Sequence, residues 1–289
     1  FGHTFPLLSR KNKKGGKIMA IEVFNRYEKK YLLTRQQYDS IIAAMKNHMV
    51  LDRYNENGES YKICNIYYDT WDDRLISASI EKPVYKEKLR VRSYGVPGLN
   101  ESVFVEIKKK YNGVVNKRRT SMKLEDAYGY MDGKISMDSI MDDYLEINRQ
   151  VLREIDFFKN HYKIVPKVYI SYDRIAYFEK DDGDFRVTFD TNITTRRKDV
   201  RLEDGSFGEQ LLPADSYLME IKVSGAVPMW FAKIISGLNI YPASFSKYGT
   251  EYKKYMSAGN TSGTIRERKE EELCLNQYLQ LQQQIMPSA

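Results

Sequence analysis

Charged side chains recur at every second position along several segments of this 289-residue chain. Successive side chains of a β-strand point to opposite faces, so residues two apart share one face. Apolar residues take the other face, as Leu89 and Val91 do. A face lined with lysine and arginine is suited to a long, dense anion. The charged faces of seven predicted strands are formed by Arg26, Glu28 and Lys30; Lys86, Lys88, Arg90 and Arg92; Glu106, Lys108 and Lys110; Lys117 and Arg119; Tyr172 and Arg174; Arg186 and Asp190; and Glu220 and Lys222.

Two interpretations fit a single strand of this kind. In an open sheet with one solvated face, the charged side chains simply meet water. If the sheet closes on itself, the charged faces point inward and amphipathic helices cover the apolar outer faces. The same alternation of charged and apolar residues in seven strands favours a closed sheet. An interior lined with lysine and arginine is then stable only around an anion. The carboxylates of Glu28, Glu106 and Glu220 would pair with these cations or ligate a metal.

The elements that must position these residues follow from hydrophobic periodicity and turn residues. Thr34 and Gln37 predict a capping box that begins a helix. The fold class is therefore α+β, a closed antiparallel eight-stranded β-tunnel with helices packed around it. Strands are predicted at 21–33, 62–68, 84–94, 102–110, 113–122, 167–178, 185–190 and 217–223, and helices after Thr34, within 123–163 (with apolar spacing over 137–156), at 228–238 and at 246–256.

Composition indicates how the chain is organised. Residues 1–19 carry five basic residues and no acid, which predicts a disordered basic leader; 20–256 form the predicted folded domain, and 257–289 a linker and a polar helical tail. The net charge of +7 comes largely from the leader, so nucleic acid is not expected as a partner. No apolar run is as long as a bilayer span, and the two cysteines fit no disulfide framework or zinc site. We expect a cytoplasmic protein, with a membrane or envelope partner left open.

Several segments resemble a known family. The start Arg26-x-Glu28-x-Lys30-Tyr31 resembles the first-strand motif of the triphosphate tunnel (CYTH-like) enzymes. The region 20–256 is similar to the catalytic domain of the vacuolar transporter chaperone (VTC) polyphosphate polymerases. The resemblance implies a nucleoside triphosphate substrate and a divalent metal, usually manganese. The matching segments occur in family order and are Leu89-Arg90-Val91-Arg92, Val105-Glu106-Ile107-Lys108, Tyr172-Asp173-Arg174, Phe185-Arg186-Val187, Glu220-Ile221-Lys222 and Ser246-Lys247-Tyr248.

The resemblance also implies residue roles. Glu220 would be the metal ligand, and Tyr172 and Ser246 would hydrogen-bond phosphate oxygens. Lys110 departs from the family pattern, which has a histidine there. The residues implied to hold phosphates in catalysis are Lys30, Arg90, Arg92, Lys108, Lys117, Arg174, Arg186 and Lys247. The charged faces add further substrate contacts at Glu28, Lys88, Lys110, Arg119 and Lys222.

The implied activity is that of a polyphosphate polymerase, which transfers the terminal phosphate of ATP to a growing chain with Mn²⁺ preferred over Mg²⁺. Hydrolytic tunnel enzymes typically carry two glutamates on the first strand and a late carboxylate pair. Here Arg26 and Lys222 stand at two of those positions, which favours holding a polyanion over activating water. The alternatives are an inorganic or nucleoside triphosphatase of the same fold, and a non-catalytic polyphosphate-binding module.

Overall fold

A computed structural model describes residues 27–144, 148–180 and 184–259. The predicted leader, most of the predicted tail, and the start of the predicted first strand with Arg26 lie outside the described residues. Within them, eight strands form the main path of one antiparallel sheet, which curls into a half-barrel. The strands are β1 (Tyr27–Leu33), β2 (Met49–Leu51), β3 (Tyr61–Asp69), β4 (Tyr85–Tyr94), β5 (Ser102–Tyr111), β6 (Val114–Lys123), β7 (Val165–Glu179), β8 (Arg186–Arg196), β9 (Glu209–Gln210) and β10 (Tyr217–Val223).

The spatial order of the main path is β1-β10-β8-β7-β3-β4-β5-β6, while the short strand β2 pairs with β7 and β9 pairs with β8. The eight strands predicted from alternation are the eight of this path. Strands β2 and β9 are too short to show any alternation. The α+β class and the antiparallel eight-stranded sheet are therefore confirmed.

The helices begin and end where local signals allow. The Thr34 hydroxyl accepts a hydrogen bond from the Gln37 backbone N–H and the Gln37 side chain accepts one from the Thr34 backbone, which confirms the capping box. The spacing over 137–156 does not form one helix, because Asn148 caps a new helix through the backbone N–H of Val151. The helices are α1 (Arg35–Met45), α2 (Arg74–Ile80), α3 (Leu124–Met131), α4 (Met137–Asp143), α5 (Arg149–Tyr162), α6 (Met229–Gly237) and α7 (Lys247–Ser257).

Helices cover the apolar convex face of the sheet. Strands β3 to β6 present Ile66, Leu89 and Val105 to α3, α4 and α5. Strands β1, β8 and β10 pack Tyr31 and Ile221, among others, against α1 and α6. This arrangement matches the prediction that amphipathic helices lie against the uncharged faces of the strands.

Part of the concave face is also filled. Helices α2 and α7 pack apolar side chains, including Ile76 and Tyr248, against Ile63, Val168 and Ile170 of β3 and β7. The charged side chains of the concave face occupy the space that these two helices leave. No helix in the described ranges is both long enough and apolar enough to cross a bilayer.

The prediction of a closed sheet is wrong. Among the described strands, β1 and β6 are the two ends of the path and form no ladder with each other. The backbone N–H of Ala243 donates to the Lys30 carbonyl at 2.7 Å, so the segment leading into α7 occupies the outer edge of β1. Closure would also bring Lys30 nearer to Lys117 and Arg119 of β6, and repulsion between cations opposes this. The result is a cationic groove rather than a sealed tunnel.

Candidate active site

The first group of charged residues on the concave face is centred on Glu106 of β5. Its carboxylate is buried and accepts a hydrogen bond from the Arg90 Nε at 2.8 Å. Arg92, Lys117 and Arg119 place their nitrogens 3.8, 3.6 and 3.8 Å from the same carboxylate. Cross-strand register produces this group, because Glu106 lies directly between Arg90 of β4 and Arg119 of β6. One carboxylate therefore holds four basic side chains together.

The second group is centred on Asp190 and Glu220, both buried. Arg174 binds Asp190 through two nitrogens, at 2.6 and 2.7 Å. Lys247 lies 2.5 Å from Asp190 and 3.5 Å from Glu220, and Lys30 lies 3.1 Å from Glu220. Lys222, on the same strand as Glu220, and Glu28 complete this group at its exposed side, where Glu28 is 3.5 Å from Lys30 and 3.9 Å from Lys222.

Tyr172 connects the two groups. Its hydroxyl accepts a hydrogen bond from the Arg92 Nη2 at 3.3 Å. Its ring lies beneath the Lys247 ammonium, 4.2 Å from the ring centroid, and 5.2 Å from the Arg174 guanidinium carbon. A cation over an aromatic face is attracted to the ring's negative charge. The phenol therefore fixes basic side chains from both groups on one continuous surface.

The remaining predicted residues lie around these groups. Lys88 donates to the Ser246 hydroxyl at 3.4 Å, and that hydroxyl also caps α7 by accepting from the Gly249 N–H. Lys108 stands opposite Lys88 in register, and Lys110 lies further out, opposite Lys86. The structure thus places every described residue of the predicted site on the concave face or at its rim.

Arg186 lies at the rim of the concave face that is opposite Lys110. Its guanidinium is 3.5 Å from Asp52 and 4.8 Å above the ring of Phe178. Within the described ranges the Arg186 Nε and the buried Thr188 hydroxyl have no hydrogen-bond partner. Thr188 stands next to Glu220 across the β8–β10 ladder, so its hydroxyl shares the concave face. Both groups therefore keep an unused hydrogen-bonding capacity that is buried beneath this face.

The carboxylates of both groups stay ionised. Burial alone would raise the pKa of Glu106, but Arg90, Arg92 and Lys117 hold it far below its usual range. Burial is likewise outweighed at Glu220 by Lys247, Lys30 and Arg174, which keep its pKa low. The pKa values of Asp190 and Glu28 are also lowered by the cations beside them, against the effect of burial.

The pKa values of several lysines are lowered too, and for a lysine this disfavours the charged form. Burial, with a contribution from Lys108, lowers the pKa of Lys88 to about 8 despite the nearby Tyr67. Burial also lowers the pKa of Lys117 to about 7; Arg90 and Arg92 add to this effect, and Glu106 opposes it. Nearly half of the Lys117 side chain still meets solvent, 44% being exposed. The protonated lysines therefore lack enough negative charge around them, and an added anion would supply it.

Sequence reasoning missed two members of the site. Asp190 was placed on the charged face but given no role, although it binds both Arg174 and Lys247. Tyr67 of β3 accepts a hydrogen bond from the Arg90 Nη1 at 2.9 Å. Burial would raise the pKa of Tyr67, but Arg90, Arg92 and Lys88 lower it to about 8. The sequence signal for Tyr67 is its position two residues after Asn65, which places both side chains on one face of β3. Asn65 accepts a hydrogen bond from Arg92 on that face.

Glu220 can contribute one carboxylate to a metal. In the part of the chain that the structure describes, no three His, Cys, Asp or Glu side chains come together as a metal-binding cluster. Mg²⁺ and Mn²⁺ usually bind through one or two carboxylates together with phosphate oxygens and waters. Four basic side chains lie within 3.8 Å of Glu220, and they would repel a bare cation. Glu220 alone therefore does not form a metal site, and a metal could bind here only together with an anionic ligand that offsets these charges.

Comparisons with known proteins identify the family of this chain. No match was found among curated proteins. The chain is similar to the solved structure of HpAC1, a putative adenylyl cyclase from Hippeastrum described as having a dominant triphosphatase activity, with 17% identity and a TM-score of 0.46 over 78% of this chain and 95% of that chain. It is also similar to the PH1819 protein from Pyrococcus horikoshii OT3, with 9% identity and a TM-score of 0.31 over 74% and 86% of the two chains. Residues 25–256 match the family model of the VTC domain, and the chain therefore belongs to the VTC domain family.

Proposed function

We propose that this protein extends inorganic polyphosphate by transferring the terminal phosphate of ATP to the end of a chain bound in the cationic groove. The proposal is carried by one observation: all four carboxylates of the two groups, Glu28, Glu106, Asp190 and Glu220, are ion-paired and have lowered pKa values. A carboxylate with a lowered pKa is a weak general base and activates water poorly. A polyphosphate terminus is already an anionic nucleophile and needs no such base.

In this reaction a terminal oxygen of the polyphosphate forms a bond to the γ-phosphorus of ATP. The bond between that phosphorus and the β–γ bridging oxygen breaks, and ADP leaves. Phosphoryl transfer depends mainly on positioning and on stabilisation of charge. Arginine offers paired donors and lysine a point charge for this task. We assign the phosphate-holding role to Lys30, Arg90, Arg92, Lys108, Lys117, Arg174, Arg186 and Lys247.

The other predicted contacts have supporting roles in this proposal. Tyr172 and Ser246 would hydrogen-bond phosphate oxygens, and Lys88, Lys110, Arg119 and Lys222 would extend the cationic surface, with Glu28 as a charge partner. A divalent metal, with Mn²⁺ preferred over Mg²⁺, would be held by Glu220 together with phosphate oxygens. When bound, such a metal neutralises charge that develops on the transferred group.

One observation favours a second candidate, a triphosphatase that transfers the phosphate to water. Hydrolysis is accelerated by a group that accepts a proton from the attacking water near neutral pH. Lys117, whose pKa is lowered to about 7, is such a group. The two candidates differ in the acceptor and in the role of Lys117, which holds phosphate in the first and accepts a proton in the second; the other phosphate-binding residues are shared.

The distinguishing experiment incubates the protein with ATP and Mn²⁺, with and without a short polyphosphate primer. If the protein is a polymerase, the products are ADP and acid-stable polyphosphate. Release of free phosphate without chain growth would identify a triphosphatase, and tight binding without turnover would identify a polyphosphate-binding module.

Two adjacent lysines of β1 provide a matched pair of variants for this assay. Lys30 faces Glu220 in the groove, whereas Lys29 is exposed on the other face of the strand. Loss of one preorganised donor to a developing charge typically costs about a hundredfold in rate. We expect Lys30→Gln to lose activity by about this factor and Lys29→Gln to keep it. Equal activity in the two variants would contradict a reaction within the groove.

A further inference from the structure

The two ends of the cationic groove differ in chemistry. One end carries the aromatic side chains of Tyr61, Tyr94 and Phe104, which we call the aromatic end. The ring centroids of Tyr61 and Tyr94 are 6.1 Å apart, and those of Tyr94 and Phe104 are 5.9 Å apart and nearly perpendicular. All three side chains are half-buried, so part of each ring remains accessible.

The other end carries Lys86, Lys88, Lys108 and Lys110, which we call the lysine end. Lys88 faces Lys108 and Lys86 faces Lys110 across the β4–β5 ladder. Burial and the neighbouring lysines lower the pKa of Lys86, and burial also lowers those of Lys88 and Lys108. The rings of Tyr67 and Tyr248 beside Lys88 are buried, and the exposed rings of Tyr85 and Tyr111 stand on the other face of their strands, outside the groove.

The aromatic end lies directly beside the central basic residues. Tyr94 and Phe104 are each two residues beyond a member of the Glu106 group, Tyr94 following Arg92 and Phe104 preceding Glu106 on the same face. Two residues of a strand span about 6.6 Å, which leaves room for a sugar between an aromatic ring and the first phosphate. Arg119 contacts both the Glu106 group and the aromatic end, because it lies 3.8 Å from Glu106 and 4.3 Å above the Phe104 ring.

We propose that the aromatic end is the nucleoside subsite of the groove, and that the growing polyphosphate extends towards the lysine end. This inference rests on the proposed function, since it assigns the two parts of that reaction's substrates to the two ends. A nucleobase stacks on aromatic rings and on a guanidinium plane, whereas inorganic polyphosphate has no ring to stack. The lysines bind phosphate as point charges and present no planar group on which a base can stack.

The test compares ATP with tripolyphosphate, which carries the linear triphosphate but no nucleoside. Phe104→Leu removes the ring and keeps an apolar side chain. The matched control is Tyr111→Leu, at the end of the same strand, where the ring is 64% exposed and faces away from the groove. Calorimetry should show ATP binding about tenfold weaker in Phe104→Leu, equivalent to ~1.4 kcal/mol, with tripolyphosphate unchanged. The control should bind both ligands as the wild type does.

The possible results separate the inference from the proposed function. Equal weakening of both ligands, or unchanged ATP binding, would overturn the nucleoside subsite and leave the proposed function standing. A wild-type protein that binds neither ligand would overturn both. Tyr61→Leu repeats the comparison on a different strand, β3, so that a folding defect in one variant does not decide the result.

The orientation has its own test at the lysine end. Lys110→Gln should weaken long-chain polyphosphate by about threefold, the effect of losing one partly exposed ion pair. The loss should be larger for long-chain polyphosphate than for ATP, because only the longer ligand reaches Lys110 in this orientation. A larger loss for ATP would show that the nucleotide occupies the lysine end and would overturn the inference.

Discussion

At the scale of single residues, each buried carboxylate of the groove serves several cations at once. Glu106 holds Arg90 and Lys117, while Asp190 holds Arg174 and Lys247. A buried ion pair adds little net stability compared with an apolar pair, but it fixes where the charges stand. Because the basic groups outnumber these carboxylates, the cations are held in fixed positions while the groove stays positively charged.

The role proposed for Glu220 can be tested by removing its charge while keeping its shape. In Glu220→Gln, we expect turnover to fall steeply and the Mn²⁺ concentration needed for residual activity to rise, because the metal loses its protein ligand. Binding of metal-free polyphosphate should survive, since a repulsive carboxylate has left the groove. Activity measured against Mn²⁺ concentration in both proteins provides the comparison.

The control for this variant is Glu209→Gln, an exposed glutamate on β9 that pairs only with Lys254 among the described residues. An unchanged metal requirement in Glu220→Gln, with lower stability and weaker polyphosphate binding together, would contradict the ligand role. It would leave Glu220 as a charge partner of Lys30 and Lys247.

The lowered pKa of Lys117 predicts a pH dependence of ligand binding. A bound polyanion favours the protonated ammonium and raises its pKa above the value of about 7 in the free protein. Above that pH, binding must take up a proton, so affinity falls as pH rises; below it, Lys117 is already protonated and contributes no slope. Tripolyphosphate affinity should therefore decrease between about pH 7 and pH 9, by up to tenfold per pH unit from this group.

Lys117→Arg isolates this contribution, because arginine keeps the charge and does not titrate in this range. The ligand's own titration and those of Lys88 and Tyr67 affect both proteins alike. The ratio of the wild-type to the variant dissociation constant should be flat below about pH 7 and should rise above it. Parallel pH profiles for the two proteins would show that Lys117 is protonated throughout or lies away from the ligand.

At the scale of secondary-structure elements, α7 brings Lys247 to the site and is held there by residues far away in sequence. The Tyr248 hydroxyl donates to Asp69 at 2.9 Å, next to the start of α2. Arg197 binds Glu251 of α7 and also Asp73, which immediately precedes α2. Both networks are largely buried, so their geometry fixes α7 against α2. The position of Lys247 therefore depends on charged groups outside the groove.

The strands of the main path were predictable because alternation is a local signal. Lys88, Arg90 and Arg92 share a face whatever the rest of the chain does, and cross-strand register then brings them beside Glu106. The groups around Glu106 and Asp190 were not predictable, because they depend on which strands are neighbours and in which register. The sequence therefore predicts which residues lie on the charged face, but only the fold shows which of them form ion pairs.

Helix α2 shows why other elements could not be predicted. Its N-cap residue Asp73 has a left-handed backbone (φ 56°) and makes no capping hydrogen bond with its side chain. The cap comes instead from Asp69, which accepts hydrogen bonds from the backbone N–H groups of Leu75 and Ile76. A capping residue that lies several positions before the helix does not match the usual start signal. The covering of the outer edge of β1 could not be predicted for a similar reason, since the residue that bonds to it, Ala243, is distant in sequence.

At the scale of the whole molecule, the half-barrel gathers like charges that an unfolded chain would keep apart. Lys30, Lys88 and Lys108 come from three strands and lie close enough to repel one another in the folded state. This repulsion raises the free energy of the ligand-free fold relative to the unfolded chain. A polyanion in the groove would remove it, so occupancy of the groove and stability of the fold should be linked.

A melting experiment tests this linkage. Any ligand that binds only the folded state stabilises it by mass action, by roughly 2.7 kcal/mol at a hundred times its dissociation constant. For a chain of this size each kcal/mol raises Tm by about 2–4 °C, so tripolyphosphate at that concentration should raise Tm by roughly 5–10 °C. Sodium chloride at equal ionic strength is the control, because it screens the same repulsion without occupying the groove. A Tm increase that salt reproduces, or none at all, would mean that the basic side chains do not form a phosphate-binding groove, since a bound polyanion cannot leave the unfolding equilibrium unchanged.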